Sequence, residues 1–138
     1  MQFSHLINLN AVYIDSISQS KTAVLLKVSQ ILSQLHPELS KQELFEAYWK
    51  RECLGSTTIG QGITIPHIHS AKLKNAQACV IRLQNPVDFG AADKQPIDLV
   101  IGLAVPQEQV AQHLEILAAI IKRFKVPSFR EACRQAVN

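Results

Sequence analysis

Two hydrophobic periods alternate along this chain, and the switches between them outline the fold. Between Lys21 and His36 the apolar residues Val24, Val28, Ile31, Leu32 and Leu35 recur at three- and four-residue intervals, which puts them on one face of an α-helix. Ser20 is placed to cap that helix, and His36-Pro37 to end it, because the residue before a proline avoids the α region. Ser40 and Glu43 stand at capping-box spacing. A second helix is expected from there through Leu44, Phe45 and Tyr48 to about Cys53, with Gly55 placed to stop it. A third helix spans roughly Gln107 to Phe124, with Val110, Leu114, Leu117, Ala118 and Ile121 as its apolar stripe. A short final helix follows, capped by Ser128, with Glu131 in its first turn.

The remaining apolar stretches have strand length. Residues 11–15 read as a short strand, and "GITIPH", residues 77–83 and residues 96–106 as three more. The run Leu99–Val105 is apolar enough for a strand buried on both faces. Turn residues between the last two strands predict antiparallel neighbours. The order β-α-α-β-β-β-α-α predicts an α/β fold: a mixed β-sheet flanked by helices on both faces, in a single domain over residues 1–138.

Composition narrows the function more than the fold. The 138 residues suffice for one substantial core. The net charge of +3 is mild, and the basic residues Lys122, Arg123, Lys125, Arg130 and Arg134 read as a solvated helix face. No dense basic stripe with interleaved aromatics points to nucleic acid. Cys53, Cys79 and Cys133 are odd in number and far apart, which predicts free thiols and a reducing cytoplasm. No apolar run approaches the ~20 residues that cross a bilayer, and the first residues lack a signal-peptide pattern. A cytoplasmic protein without membrane insertion is expected.

The candidate chemistry lies between Arg51 and His69, with one distant partner. Residues 55–62, "GSTTIGQG", form an uncharged loop of small residues. Gly55 and Gly60 match the start of a nucleotide P-loop, but Gln61 and Gly62 stand where its Lys and Ser/Thr belong, and a strand follows instead of a helix. A dinucleotide fingerprint is excluded for want of a third glycine and a helix. The loop keeps amides and the hydroxyls of Ser56, Thr57 and Thr58, which suit an anion. Arg51 adds a planar guanidinium that matches phosphoryl oxygens, although alone it reads as an exposed cation at a helix end. His67 follows Pro66 at a strand end, and neutral imidazole is a competent nucleophile. His113 lies beside the apolar stripe of the third helix, whereas His5 and His36 read as ordinary polar residues. Two readings stay open. His67 and His69 share a strand face, and with His113 they make three imidazoles, enough for a catalytic zinc site. Alternatively, His67 takes part in phosphoryl transfer, a reading that also uses the loop and Arg51.

The segment "RECLGSTTIGQGITIPH", residues 51–67, resembles the active-site signature of the mannitol/fructose-class enzyme IIA domains of the bacterial phosphoenolpyruvate-dependent phosphotransferase system. "NPVDFGAADKQPIDLVIGLAVP" and "QHLEILAAI" are similar to the rest of that family, so the resemblance covers nearly the whole chain. It implies that His67 accepts a phosphoryl group from the phosphohistidine of a small carrier protein, HPr or NPr. It implies that Arg51 and His113 support the phosphorylated histidine, that Gly55, Ser56 and Thr57 shape the pocket, and that no cofactor is required. The glycines before His67 then read as the floor of the phosphoryl site. Among family branches the chain is most similar to the nitrogen-regulatory enzyme IIA, which implies phosphorylation-dependent binding to regulatory targets, a transporter or a sensor kinase. The alternatives are a sugar-specific enzyme IIA that passes phosphate to an enzyme IIB, a binding module that is not phosphorylated, and the zinc hydrolase. Thr58 and Thr64 replace the usual Gly or Ala, His69 replaces a small or basic residue, and the family usually continues past the point where this chain ends, at Asn138.

Overall fold

A computed structural model of the chain describes residues 12–108 and 110–135. Its elements in chain order are β1 (Val12–Asp15), α1 (Lys21–Leu35), α2 (Lys41–Leu54), β2 (Thr58–Gly60), β3 (Ile63–Thr64), β4 (His67–Ser70), β5 (Gln77–Val87), β6 (Ile97–Pro106), α3 (Val110–Phe124) and α4 (Pro127–Gln135). His5, Ala11 and the side chain of Val110 lie outside the described residues.

The helix ends follow local chemistry, with three corrections. Ser20 Oγ accepts from the Ala23 amide at 3.1 Å, and α1 stops at Leu35 before His36-Pro37. Ser40 Oγ accepts from the Glu43 amide at 3.3 Å. The Glu43 carboxylate does not reach back to complete the capping box; it pairs with Lys72 Nζ at 3.0 Å. Ser128 is not a cap. Pro127 already occupies the first position of α4, where its missing N–H costs nothing, so Glu131 falls beyond the first turn. The third helix does not reach back to Gln107, because Gln107 and Glu108 form a turn after β6.

The strands form one mixed sheet in the order β1-β5-β6-β3-β2, with β4 also paired to β6. β5 and β6 are antiparallel, whereas β1 lies parallel to β5 and both β3 and β4 lie parallel to β6. The expected strand "GITIPH" is thus two strands. Ile63 pairs with Leu99 and His67 with Leu103, so the register is the same on both sides of the gap at Ile65–Pro66. Pro66 has no N–H to give the ladder, but its carbonyl still accepts from the Leu103 amide at 2.9 Å. The supposed loop also contains a strand. β2 and β3 form a hairpin whose two-residue turn, Gln61-Gly62, has φ of 60° and 77°. Two positive φ values mark a type I′ turn, which explains the glycine at position 62. Gly62 therefore does not floor the phosphoryl site. It lies beside Asp98, five residues along β6 from Leu103 and so roughly 16 Å from His67 at ~3.3 Å per residue.

Both sheet faces are covered, as Leu99–Val105 predicted. Val100 and Ala104 of β6 face α1 and α2, packing with Leu25, Val28, Leu32, Tyr48, Ile81 and Ile68. Leu99, Ile101, Leu103 and Val105 face α3 and α4, packing with Ile63, Ile65, Ile116, Ile120 and Phe124. Cys79 and Cys133 are buried in opposite cores while Cys53 is exposed, and all three are free. Three stripe residues depart from expectation. Leu35 is 50% exposed, being the final residue of α1 with no further turn to pack beside it. On α3 the buried residues are His113, Ile116, Ile120 and Phe124, with Leu117 and Ile121 half-buried, whereas Leu114 is 62% exposed and Ala118 is exposed too. Treating His113 as polar rotates the inferred face away from the real one.

At Gly102, α1 packs tightly against the sheet. A Cβ there would collide with Val28 Cγ1 and meet Cys79 Sγ at 3.1 Å. Gly102→Ala is therefore expected to destabilise the fold by about 1–3 kcal/mol through overpacking. Thermal unfolding should show a lower Tm, and Val28→Ala in the same chain should recover part of the loss.

Candidate functional site

Three elements bring the site together. α2 is anchored by Tyr48, which is buried and donates its hydroxyl to the Leu103 carbonyl at 2.8 Å. Leu103 is the register partner of His67, so this bond fixes α2 at the level of β4 where His67 stands. Arg51 follows Tyr48 by three residues, close to one helical turn, and therefore projects on the same side of α2. α3 completes the site by burying His113, which is 5% exposed.

The geometry defines the protonation of His67. Its Nδ1 lies 2.7 Å from the Ile65 carbonyl oxygen. A carbonyl can only accept, so Nδ1 carries the proton, and in the neutral ring Nε2 keeps its lone pair. Arg51 Nε donates to that Nε2 at 3.4 Å, and Arg51 Nη1 donates to the Gly55 carbonyl at 3.0 Å. The His113 ring centroid is 5.3 Å from that of His67 and 4.4 Å from that of His69. The three imidazoles expected to gather do so. Among the described residues, however, no group of three or more His, Cys, Asp or Glu is arranged to hold a metal ion.

Electrostatics favour neutral rings. Burial pushes the His67 pKa down, and the charges of Arg51 and His69 act in the same direction. The Ile65 hydrogen bond and Glu52 oppose the fall without reversing it. Burial, with His69, His67 and Arg51 nearby, brings His113 down to about 4. At pH 7, then, Arg51 is the charged member of the Arg51–His67–His113 trio. His113 Nδ1 is buried without a hydrogen-bond partner, an arrangement that costs about 1–3 kcal/mol until an acceptor or donor reaches it.

The loop is less uniform than its composition suggests. Gly55 and Ser56 are exposed beside Arg51, and the Ser56 and Thr58 hydroxyls bond each other at 2.7 Å. Thr57 is buried, and its hydroxyl is engaged with Glu52 and Thr64 at 2.8 Å each, so it supports the loop from below. Sequence reasoning missed Glu52 and Tyr48. Tyr48 was visible only as a core residue, and Glu52 as one letter of the signature. A wider depression of about 540 Å³ lies elsewhere, lined by Gln61, Gly62, Asp93, Asp98 and Arg134. Its guanidinium is already committed to Asp98, with Arg134 Nε–Oδ2 at 2.8 Å.

A sheet of this topology with an arginine and two histidines at one strand end defines a class, and the chain belongs to it. The family model described as "Phosphoenolpyruvate-dependent sugar phosphotransferase system, EIIA 2" matches residues 5–138, so the chain is a member of the type-2 enzyme IIA family. Within that family its relatives include nitrogen regulatory proteins and, at lower identity, sugar-specific EIIABC components. The "Nitrogen regulatory protein" of Pseudomonas aeruginosa is 37% identical over 117 residues, covering 85% of this chain and 76% of that protein. The crystal structure of nitrogen regulatory protein IIA-Ntr from Neisseria meningitidis superposes with a TM-score of 0.85 at 32% identity, covering 98% of this chain and 92% of the other. The mannitol enzyme IIA of Escherichia coli shares the fold, with a TM-score of 0.76 at 17% identity over 96% of this chain and 92% of that one. Among the described residues no helix is long and apolar enough to cross a membrane.

The depressed histidine pKa values have a stability consequence. Both rings bind protons less readily folded than unfolded, so the unfolded state takes up more protons below pH 6.5 and stability falls as pH falls. For His113 the window runs from 6.5 down to about 4. At about 1.4 kcal/mol per pKa unit this amounts to about 3 kcal/mol. Urea unfolding of the wild type and His113→Gln from pH 7 to pH 4 should show a shallower loss in the variant.

Proposed function

We propose that the chain is a phosphoryl-relay and regulatory protein of the nitrogen branch of the phosphotransferase system, working in the cytoplasm. His67 accepts a phosphoryl group from the phosphohistidine of HPr or NPr, and the phosphorylated and free forms differ in their binding to a regulatory target such as a transporter or sensor kinase. The observation that carries this reading is the His67 ring, with Nδ1–H committed to Ile65 and the Nε2 lone pair facing Arg51.

The step balances without a cofactor. The Nε2 lone pair of His67 forms the new N–P bond while the N–P bond of the carrier breaks. The carrier imidazole leaves with that electron pair. The proton stays on Nδ1, hydrogen-bonded to the Ile65 carbonyl, throughout. Arg51, displaced from Nε2, turns its guanidinium to the phosphoryl oxygens, where a fixed cation offsets the charge of the group in flight. His113 stands beside the reacting ring with a ring nitrogen still unbonded, and the incoming dianion favours its protonation. The chain alone turns over nothing: it holds the phosphoryl group and passes or displays it. Its relatives' name, nitrogen regulatory protein, supports this branch over a sugar-specific role with an enzyme IIB.

Incubation with phosphoenolpyruvate, enzyme I and HPr or NPr should give an acid-labile label that vanishes in His67→Ala. Arg51→Ala is expected to slow labelling by about 10²–10³-fold, the usual effect of losing one preorganised charge donor. Label that persists on His67→Ala, at His69 or elsewhere, contradicts the assignment.

A further inference from the structure

A buried carboxylate beneath the signature loop takes no direct part in the chemistry above. Glu52 follows Arg51 on α2 and is 6% exposed. Its Oε1 lies 3.0 Å from Lys21 Nζ at the start of α1, in an ion-pair contact that lacks hydrogen-bond alignment. Its Oε2 accepts from Thr57 Oγ1 at 2.8 Å. Thr57 has one hydroxyl proton, and Glu52 receives it. In the 2.8 Å contact between the Thr57 and Thr64 hydroxyls, Thr64 must therefore be the donor. The main chain continues the run. The Thr57 carbonyl accepts from the Ile65 amide at 3.0 Å, and the Ile65 carbonyl accepts from His67 Nδ1–H. An ion pair and a run of hydrogen bonds thus connect Lys21 on α1 to the imidazole ring, through Glu52 on α2, Thr57 in the loop and Ile65 in the gap between β3 and β4.

A carboxylate is retained in such a place only when it is paired and hydrogen-bonded, because isolated burial of the charge is strongly unfavourable. Glu52 meets that condition through Lys21 and Thr57, which in turn fixes Thr57. Thr57 then fixes Ile65, whose carbonyl selects the tautomer of His67. The carboxylate also acts on the ring through space, opposing the effect of burial on its basicity.

We propose that Glu52 is a positioning residue for phosphoryl transfer, acting through Thr57 and Ile65 to hold His67 as its Nδ1–H form with Nε2 toward the donor. The inference rests on the reading of His67 as phosphoryl acceptor. Thr64, whose hydroxyl bonds that of Thr57 at 2.8 Å, reinforces the hold in this chain.

The test compares the wild type with Glu52→Gln, Thr57→Val and Thr57→Ser as full chains. Long-range ¹H–¹⁵N spectra of the unphosphorylated proteins read the His67 tautomer directly, and transfer from phospho-NPr reads the chemistry. Glu52→Gln and Thr57→Val should shift His67 toward the Nε2–H form and lower the transfer rate constant about tenfold, with KM for the carrier unchanged. Glu52→Gln should also lower the pH midpoint of the His67 titration further, an effect that a purely structural role would not produce. Thr57→Ser should restore the tautomer and the rate. An unchanged tautomer and rate in folded variants overturns the proposal, and so does failure of both variants to fold, since Glu52 would then be a stability residue. Should the wild type take no label on His67, the phosphoryl-acceptor reading fails separately, because the tautomer measurement needs no donor.

Discussion

The site depends on one hydrogen bond, from His67 Nδ1 to the carbonyl of Ile65, two residues back along the chain. It exists because the strand beside β6 is interrupted. Ile63–Thr64 and His67–Ser70 hold the same register against β6, but Ile65 and Pro66 between them drop out of the strand pairing. Proline withholds a ladder donor there, and the strand resumes with a histidine whose ring folds back on the gap. With Nδ1 committed, Nε2 keeps the lone pair of the ring and faces Arg51. The bond from Tyr48 to Leu103 then brings α2, and so Arg51, to the same level of the sheet.

The charges around this bond are arranged by burial more than by pairing. His67 and His113 are both less basic than a free histidine, chiefly because burial disfavours their charged forms. A neutral ring can attack phosphorus, and a second neutral ring beside it adds no repulsion toward Arg51. On the proposed reading, a phosphoryl group on His67 would reverse these preferences, since an adjacent dianion favours protonated neighbours.

Much of this was legible in the sequence. Arg51 and Pro66-His67 open and close a long signature, His113 stands in a separate stretch similar to the same family, and the apolar run of β6 announced a strand covered on both sides. What failed were inferences that required a side chain to choose among several directions. His113, treated as polar, displaced the buried face of α3 by one position. Thr57 was read with Ser56 and Thr58 as a row of hydroxyls open to an anion, yet it turns inward to Glu52 and Thr64. The glycines at 60 and 62 resembled a phosphate cradle, but position 62 serves a tight hairpin turn beside Asp98. Glu52 had no legible role, because its meaning lies in contacts with Lys21 and Thr57 that only the packed helices create.

The most direct measurement is the site of phosphorylation within the His67 ring. Long-range ¹H–¹⁵N and ³¹P spectra of the phosphorylated protein distinguish the two nitrogens by their couplings. The account predicts phosphorus on Nε2, with the Nδ1 proton still protected by the Ile65 carbonyl. Phosphorus on Nδ1, or on His69 or His113, would contradict it.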